Sequence, residues 1–167
     1  MVTCNEIDQL SDDPLIIYPE LFNHPVEMQV VRKHDDAIIP YKTRLSDVGY
    51  DLTIIRKHKD LNSNTIMFDT GIAVKVPWGY YTEVVPRSSL SKTGWMLTNS
   101  VGIIDNSYTG NIYIVLTKMN PDAADIELPF RGFQLIIRKQ YHVKMREVKE
   151  IEETERGSGG FGSTNRD

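Results

Sequence analysis

The sequence contains 167 residues, of which 40% are hydrophobic and 25% are charged, and its formal net charge is -4. This length suits one domain with a buried core, and the acidic balance argues against broad binding to nucleic acid or to an anionic membrane, since both require a basic face. Cys4 is the only cysteine, which excludes an internal disulfide framework and a thiolate metal cluster.

The first predicted segment is an N-terminal arm, residues 1–25, which contains DQLSDDP and three prolines. It has no basic region followed by an apolar run, and no apolar stretch of the chain approaches the roughly 18 residues of a membrane-spanning helix. We therefore expect an intracellular, soluble protein with an arm that lies outside the core.

Period-two patterns and strand-forming residues dominate the rest of the chain. They occur in IAVKV at 72–76, in NIYIVL at 111–116 and in FQLII at 133–137, which is followed by RKQYHVKM. Glycines and prolines separate these runs, and the one candidate for a short helix or turn is RSSLSKTG at 87–94. Short strands with frequent turn signals predict an all-β sandwich or barrel with little helix.

The large aromatic and imidazole side chains have structural interpretations. We expect Trp78 and Trp95 to pack in the core or under a loop. None of the four histidines shows the paired spacing of a zinc site, so we expect no metal role for them.

The segment GIIDNSYTG, Gly102–Gly110, puts Asp105 and Tyr108 in a turn between two apolar runs. Asp105, Asn106 and Ser107 are turn formers, so an ordinary hairpin is one interpretation, and the spacing alone favours it. The other interpretation is functional, because a carboxylate at a strand end can hold and deprotonate a water. A tyrosine three residues later could then pack on a sugar face.

Three further segments carry polar groups that suit a ligand. SDVGYDL contains Asp51, either at a strand entrance or as a carboxylate that reaches a hard cation through water. VPRSSL contains Arg87 before two serines, which suits a surface turn or an anion site. RGSGGFGST, at 156–164, is either a flexible terminus or a segment whose backbone N–H groups, hydroxyls and guanidinium bind a phosphate chain while Phe161 covers a base.

Five segments, SDVGYDL, PRSSLSKTG, NSVGIIDNSYTGNI, RGFQLI and RGSGGFGST, resemble in order and approximate spacing the five motifs of the trimeric dUTP diphosphatase (dUTPase) family. TGIAVKVPWGYYTEVVPRSSL is also similar to that family between its first two motifs. The resemblance spans about Val26 to Thr164. It divides the chain into the arm, a dUTPase-like β domain at 26–150 and a glycine-rich closing tail at 151–167.

This resemblance implies a jelly-roll-like (β-clip) homotrimer with three active sites at subunit interfaces, each built from motifs of more than one chain. Enzymes of the family cleave dUTP between the α and β phosphates, with Mg²⁺, to give dUMP and diphosphate. The reaction limits uracil in DNA and supplies dUMP for dTTP synthesis. A tail without a core of its own would close over a neighbour's nucleotide and become ordered when ligand binds.

The resemblance also implies roles on the base and sugar side. Asp105 matches the catalytic aspartate that orients and activates the attacking water. Tyr108 matches the tyrosine that lies against deoxyribose and would collide with a 2′-hydroxyl. The family's hairpin that contacts the edge of uracil is matched by Asn99 and by residues of two later segments, Gly102, Ile103, Gly110, Asn111 and Ile112.

On the phosphate side, the second and fourth motifs are matched by Arg87, Ser88, Ser89 and Gln134. The tail groups that hold the β and γ phosphates are matched by Arg156, Gly162, Ser163 and Thr164, and Phe161 would stack over uracil. Asp51 matches the aspartate that reaches Mg²⁺ through bound waters, which suits a hard ion that keeps its hydration. Catalysis would then be positioning and charge neutralisation around an in-line attack.

Some residues depart from the family pattern. Ser89 stands where the second motif usually has glycine, which would narrow the phosphate pocket or add a donor. Pro129 and Phe130 replace a glycine and an acidic residue, and Phe133 replaces a small alanine, for which we expect a changed neighbour at the trimer axis. None of these changes removes a residue with assigned chemistry, so we expect an active enzyme with altered affinity or assembly.

Two alternatives stay open. A dCTP deaminase shares the fold and a version of the GIID segment but does not normally carry RGSGGFGST. A non-catalytic nucleotide-binding or regulatory protein could keep the same fold. Retention of Asp105, Arg87, Gln134, Phe161 and Arg156 together argues against lost chemistry.

Overall fold

A computed structural model describes residues 26–160 of the chain, and these residues form antiparallel β-sheets. The only helical element among them is a short 3₁₀ helix, Ser88–Lys92. The strands are β1 (Gln29–Arg32), β2 (Tyr50–Ile54), β3 (Arg56–Asn62), β4 (Thr65–Asp69), β5 (Ile72–Lys75), β6 (Tyr80–Pro86), β7 (Trp95–Leu97), β8 (Gly102–Ile104), β9 (Tyr113–Lys118) and β10 (Phe130–Lys139). The predicted all-β class is confirmed.

Two four-stranded sheets carry most of the structure. The first sheet has the order β2-β10-β6-β8, and the second sheet has the order β3-β4-β9-β7. Strand β1 pairs with β5 in a separate two-stranded sheet. Because β8 lies at the edge of the first sheet while β9 lies inside the second, the chain crosses from one sheet to the other between Ile104 and Tyr113.

The core forms where apolar side chains from these sheets meet. Leu52, Leu116, Phe133 and Leu135 have no exposed surface, and Trp95 is 4% exposed. Burial of side chains of this size is worth about 1.5–3 kcal/mol each relative to exposure. The β-branched and aromatic residues of β2, β9 and β10 therefore fix the two sheets against each other.

The predicted strands are present with shifted bounds. The run at 72–76 becomes β5, which ends at Lys75, and the run at 111–116 becomes β9, which starts at Tyr113. Strand β10 ends at Lys139, so RKQYHVKM continues as a strand through Arg138 and Lys139 and not beyond them. Backbone pairing ends there because Arg138 and Lys139 have their partners Tyr81 and Tyr80 at the start of β6.

Two predictions about bulky aromatics are wrong in part. Trp95 packs in the core as expected, but Trp78 is 77% exposed and stacks on His142 with 5.2 Å between ring centroids. Phe133 needs no change at a trimer axis, because its ring is buried inside the chain and meets Phe130 edge-on at 6.2 Å. The Phe133 ring, which stands where the family has a small residue, is thus accommodated by the core of one chain.

Among the described residues, no helix is long and apolar enough to cross a membrane. The predicted N-terminal arm lies outside the described residues, as do Phe161, Gly162, Ser163 and Thr164 of the predicted tail. The three-part division of the chain stays a prediction.

Candidate active site

A tight turn presents the candidate catalytic carboxylate. Asp105 directly follows β8, and its carbonyl oxygen accepts a hydrogen bond from the Tyr108 backbone N–H at 3.0 Å. Asp, Asn and Ser favour such a turn because their side chains stabilise it locally. The Lys75 ammonium donates to the Asn106 carbonyl at 2.6 Å and ties the turn to the end of β5. Asp105 itself is exposed.

The turn does not belong to a β-hairpin. Strand β8 pairs with β6, whereas β9 pairs with β4 and β7, so the ordinary-hairpin interpretation of Gly102–Gly110 is wrong. The loop crosses between sheets because the apolar residues on either side enter different layers of the core. This crossing exposes Asp105 and Tyr108 at the edge of the molecule.

A cleft of about 230 Å³ adjoins this loop. The Tyr108 hydroxyl donates to the Asn111 carbonyl at 2.7 Å, which folds the phenol ring back over Gly110. A Cβ at position 110 would lie 2.6 Å from that hydroxyl, so the closed loop requires glycine there. The cleft is lined by Ile103, Ile104, Asp105, Tyr108, Asn111 and Tyr113.

Other residues predicted for the base pocket border the cleft or support it. Gly102 pairs with Val84 across the sheet edge, and a Cβ there would approach the Val84 Cβ at 3.2 Å and the Asn99 amide nitrogen at 3.6 Å. Ile112 is buried, its N–H donates to Ile72 at 2.8 Å and its carbonyl accepts from the Thr70 hydroxyl at 2.8 Å. Ile112 thus supports the loop from behind, with its backbone polar groups already bonded.

A second group of predicted residues gathers at the opposite end of β6. Asp51 is 9% exposed, and its Oδ2 lies 3.0 Å from Arg87 Nη1 and 3.4 Å from Arg131 Nη1. Arg131 also donates to the Tyr41 hydroxyl. Two guanidinium groups on one carboxylate leave a net positive charge, and the carboxylate holds both in place. We call Asp51, Arg87 and Arg131 the arginine cluster.

Gln134 enters this region through a close backbone approach. It lies opposite Asp51 on β2 and Val85 on β6. A Cβ at Gly49 would stand 2.7 Å from the Gln134 Cβ and 2.9 Å from its Oε1. The glycine of SDVGYDL therefore makes room for the glutamine of RGFQLI, which joins the first and fourth motifs physically.

The serines after Arg87 start the 3₁₀ helix. Ser88 and Ser89 are exposed, and the Ser88 carbonyl accepts a hydrogen bond from the Ser91 hydroxyl at 2.6 Å. The Arg87 N–H donates to the Gly132 carbonyl at 2.8 Å, which fixes the helix start against β10. Ser89 is exposed, and its effect on phosphate binding stays a prediction.

The structure does not bring the two groups together within one chain. Ile104, next to Asp105, faces Thr82 on β6. Arg87 follows the other end of that strand, five residues on from Thr82, which is roughly 17 Å at about 3.4 Å per residue. The backbones of Asp105 and Arg87 in one chain therefore lie near opposite ends of β6.

The described part of the tail is exposed and makes local contacts. Arg156 Nε donates to the Gly159 carbonyl at 3.0 Å, and the Gly157 N–H donates to the Thr154 carbonyl at 2.9 Å. These bonds form turns within the tail itself. The Arg156 guanidinium retains further donors for a ligand.

Residues 26–160 contain no cluster of three or more histidine, cysteine, aspartate or glutamate side chains suited to a metal. Asp51 contributes one carboxylate, and both of its ion pairs use Oδ2. A magnesium ion is commonly held by one or two carboxylates together with water and substrate phosphates. The donor set therefore fits an ion that arrives with phosphate and does not fit a protein-only cage.

Comparisons with known proteins show which family the chain belongs to. The dUTPase family model matches residues 35–165. A deoxyuridine 5′-triphosphate nucleotidohydrolase of Clostridioides difficile is 35% identical over 138 residues, covering 82% of this chain and 96% of that protein. The chain belongs to the dUTPase family. The enzyme of the same name from Escherichia phage T5 is 42% identical over 101 residues, covering 60% of this chain and 68% of that protein.

Solved dUTPase structures share the fold. The Staphylococcus bacteriophage 80alpha dUTPase with dUPNHPP has a TM-score of 0.65 at 24% identity, covering 84% of this chain and 99% of that chain. A mutant dUTPase from phage phi11 of S. aureus, described with a structural Mg(II) ion, has a TM-score of 0.63 at 21% identity, covering 76% of this chain and 99% of that one. At these identities the likeness concerns the dUTPase fold alone.

Sequence reasoning did not single out two charged residues of this dUTPase. Arg131 belongs to the quoted RGFQLI segment, yet only the structure brings it to Asp51. Asp69 precedes the quoted TGIAVKV segment, and its side chain is 1% exposed. An aspartate within the largely apolar segment MFDTGIAV is the sequence signal that could have indicated a buried charge with partners.

Proposed function

We propose that this chain hydrolyses dUTP to dUMP and diphosphate by attack of water on the α-phosphorus. The chain belongs to the dUTPase family. The observation that supports this proposal is an exposed aspartate beside a small cleft, together with a separate arginine cluster. The enzyme is accordingly a dUTP diphosphatase. Nothing in the site favours deamination or a purely binding role.

Asp105 acts as the residue that orients and deprotonates the attacking water. Within residues 26–160, no group is hydrogen-bonded to its carboxylate, so both oxygens are free to accept from a water. The neighbouring turn is anchored at Tyr108 and Asn106, which fixes the direction of the carboxylate. General-base assistance of this kind is worth about 10² to 10⁴ in rate.

The cleft beside Asp105 takes the deoxyuridine. Tyr108 is held by its bond to Asn111, so its ring forms a fixed wall against the sugar, and a 2′-hydroxyl would collide with it. A buried donor or acceptor left without its partner costs about 1–3 kcal/mol. A base with the wrong donor pattern is rejected for this reason.

The arginine cluster takes the phosphate chain. Arg87 and Arg131 are oriented by Asp51 before any ligand arrives, and their outward-facing N–H groups suit phosphate oxygens. Gln134 and Ser88 add neutral donors. The tail residues Arg156, Phe161, Gly162, Ser163 and Thr164 then close over the bound nucleotide.

Mg²⁺ is the proposed cofactor. It would be held by Asp51 through water, with most of its remaining ligands from the phosphates. When bound, it supplies charge neutralisation on the phosphate oxygens.

The complete site requires a second copy of the chain. Asp105 and Arg87 are separated by roughly 17 Å or more along one chain, at about 3.4 Å per residue, whereas catalysis requires both at one triphosphate. We therefore infer a homotrimer with sites at subunit interfaces, in which one chain supplies the Asp105 cleft and a neighbour supplies the arginine cluster. The tail reaches a site from a further subunit.

The test is diphosphate release from dUTP, dTTP, dCTP and UTP by the purified full chain with Mg²⁺, together with identification of the nucleotide product. Release from dUTP alone, with dUMP as product, is expected. Ammonia release from dCTP would indicate the deaminase instead. Tight dUTP binding without turnover would indicate a binding protein.

A further inference from the structure

A buried carboxylate outside the cleft is bonded to the loop that forms it. Asp69, the last residue of β4, is 1% exposed. Its Oδ1 accepts from the Gly71 N–H at 2.7 Å and from the Asn111 side-chain amide at 3.1 Å. Its Oδ2 accepts from Arg56 Nη2 at 2.9 Å and lies 3.3 Å from His34 Nε2.

These contacts keep the carboxylate ionised. Burial, the largest single influence, would raise the pKa of Asp69, but the Gly71 N–H, the Arg56 guanidinium and His34 together hold it below its ordinary value of 3.8. An unpaired charge at such a position would be strongly unfavourable. Asp69 is thus an anionic anchor with every lone-pair direction in use.

The Asp69 anchor is one of the contacts that hold the cleft loop in place. Asn111 lines the cleft. Its side-chain amide donates to Asp69, and its backbone carbonyl accepts from the Tyr108 hydroxyl at 2.7 Å. The next residue, Ile112, is held by Thr70 and Ile72. At this end of the loop the Asn111 side chain makes the contact with a charged group, whereas at the other end the Lys75 ammonium donates to the Asn106 carbonyl.

We propose that Asp69 is a positioning residue for nucleoside selection, which holds Asn111 and through it the Tyr108 ring that forms the sugar wall. This inference rests on the proposed dUTP hydrolysis. Loss of the anchor releases the Asn111 side chain, so the Asn111 backbone carbonyl that accepts the Tyr108 hydroxyl is then held through the Ile112 N–H bond to Ile72, and the wall against a 2′-hydroxyl softens. Asp105 begins the turn, which keeps the bond from the Tyr108 N–H to the Asp105 carbonyl and the bond from Lys75 to the Asn106 carbonyl.

The variant Asp69→Asn tests the proposal, because an amide cannot accept from both Asn111 and Arg56 in the same way. We expect KM for dUTP to rise about tenfold with kcat nearly unchanged, and the preference for dUTP over UTP to fall by a similar factor, since small displacements at a binding site carry large effects. The milder variant Arg56→Gln should shift both quantities in the same direction by less.

Thr65→Val is the matched control. Thr65 lies at the other end of β4, where its buried hydroxyl bonds Thr117 at 3.1 Å, so its loss lowers Tm without touching the cleft. A drop in Tm for Asp69→Asn with KM and the dUTP preference unchanged, as in Thr65→Val, would overturn the proposal. If Asp69→Asn does not fold, the same comparison is made between Arg56→Gln and Thr65→Val.

A readout without turnover separates this proposal from the proposed function. Hydrogen exchange of the ligand-free protein should be faster over residues 106–112 in Asp69→Asn than in the wild type or in Thr65→Val. Faster exchange in Asp69→Asn, if the wild-type protein does not hydrolyse dUTP, would support the positioning role of Asp69 and contradict the proposed dUTP hydrolysis. Unchanged exchange over this segment would reject the anchor whatever the activity.

Discussion

At the scale of single residues, the two groups assigned to chemistry differ in how they are held. The Asp51 carboxylate is paired with two guanidinium groups, Arg87 and Arg131, and these ion pairs hold all three side chains in place. Asp105 is exposed and has a fixed backbone, but within residues 26–160 its side chain has no hydrogen-bond partner. The first arrangement suits binding of a fixed anion, and the second suits a carboxylate that exchanges a proton with water.

Replacing Asp105 by asparagine preserves shape and removes the base. We expect Asp105→Asn to bind a non-hydrolysable dUTP analogue with near-normal affinity while kcat falls by about 10² to 10⁴. Steady-state kinetics and calorimetry check the two halves of this statement. Asp125→Asn, at an exposed surface pair with Lys118, is the control, and turnover of Asp105→Asn near the wild-type rate would remove Asp105 from its role.

The lowered pKa of Asp69 gives a pH dependence of stability. Because the folded-state pKa lies below the ordinary 3.8, ionised Asp69 stabilises the fold at pH values above 3.8, and this stabilisation is lost as pH falls from there through the folded-state pKa. The difference in Tm between wild type and Asp69→Asn should therefore be constant from pH 7 to 5 and shrink below pH 3.8. A difference that grows with acidity would contradict the paired state of Asp69.

At the scale of elements, the alternation of apolar residues was sufficient to predict strands at 72–76 and 111–116 but not their partners. Period-two patterns report which side chains are buried, whereas pairing depends on contacts far apart in sequence. The β8 and β9 segments read as a hairpin for this reason, since a turn sequence joins them, and they belong to different sheets.

The site shows the same division between local and distant information. The turn that carries Asp105 and Tyr108 was predictable because its chemistry is local to one short segment, whereas the roles of these residues come from the resemblance to the dUTPase family and stay predictions. The contact between Gly49 and Gln134 and the pairing of Asp51 with Arg131 join residues about eighty positions apart, which no spacing rule conveys. The burial of Phe133 within its own chain was missed because its neighbours come from other strands.

The C-terminal segment is an element whose function is separable from folding. Strand structure ends at Lys139, and the residues from 140 to 159 are almost all exposed. A chain that stops after Glu155 should therefore keep its Tm and oligomeric state and lose most of kcat/KM for dUTP. Thermal melting, light scattering and kinetics measure these three properties. Full activity of the truncated chain would reject a closing tail.

At the scale of the whole molecule, the separation of Asp105 and Arg87 predicts complementation between inactive chains. Asp105→Asn and Arg87→Ala proteins should each be inactive alone. When the two are unfolded together in equal amounts and refolded, about a quarter of the sites in random symmetric oligomers combine an intact aspartate with an intact arginine. Activity near that fraction is expected, and mixed chains without activity would place both groups in one subunit's site.

The double variant carrying both substitutions in one chain is the control for this experiment. Mixed with wild type in equal amounts, it contributes neither half, so it forms no new complete site. Recovery in the mixture of the two single variants, but not when either single variant or the double variant is refolded by itself, would tie the activity to exchange of halves between chains.

The same separation has a genetic consequence. Because each chain of the proposed trimer contributes Asp105 to one site and Arg87 to another, a defective chain would lower the activity of the intact chains assembled with it. A product that lacks both Asp105 and Arg87 would disable two of the three sites around it, whereas one that lacks Asp105 alone would disable one. In a cell that makes intact and damaged chains together, the loss of activity should therefore grow with the number of halves that the damaged chain lacks.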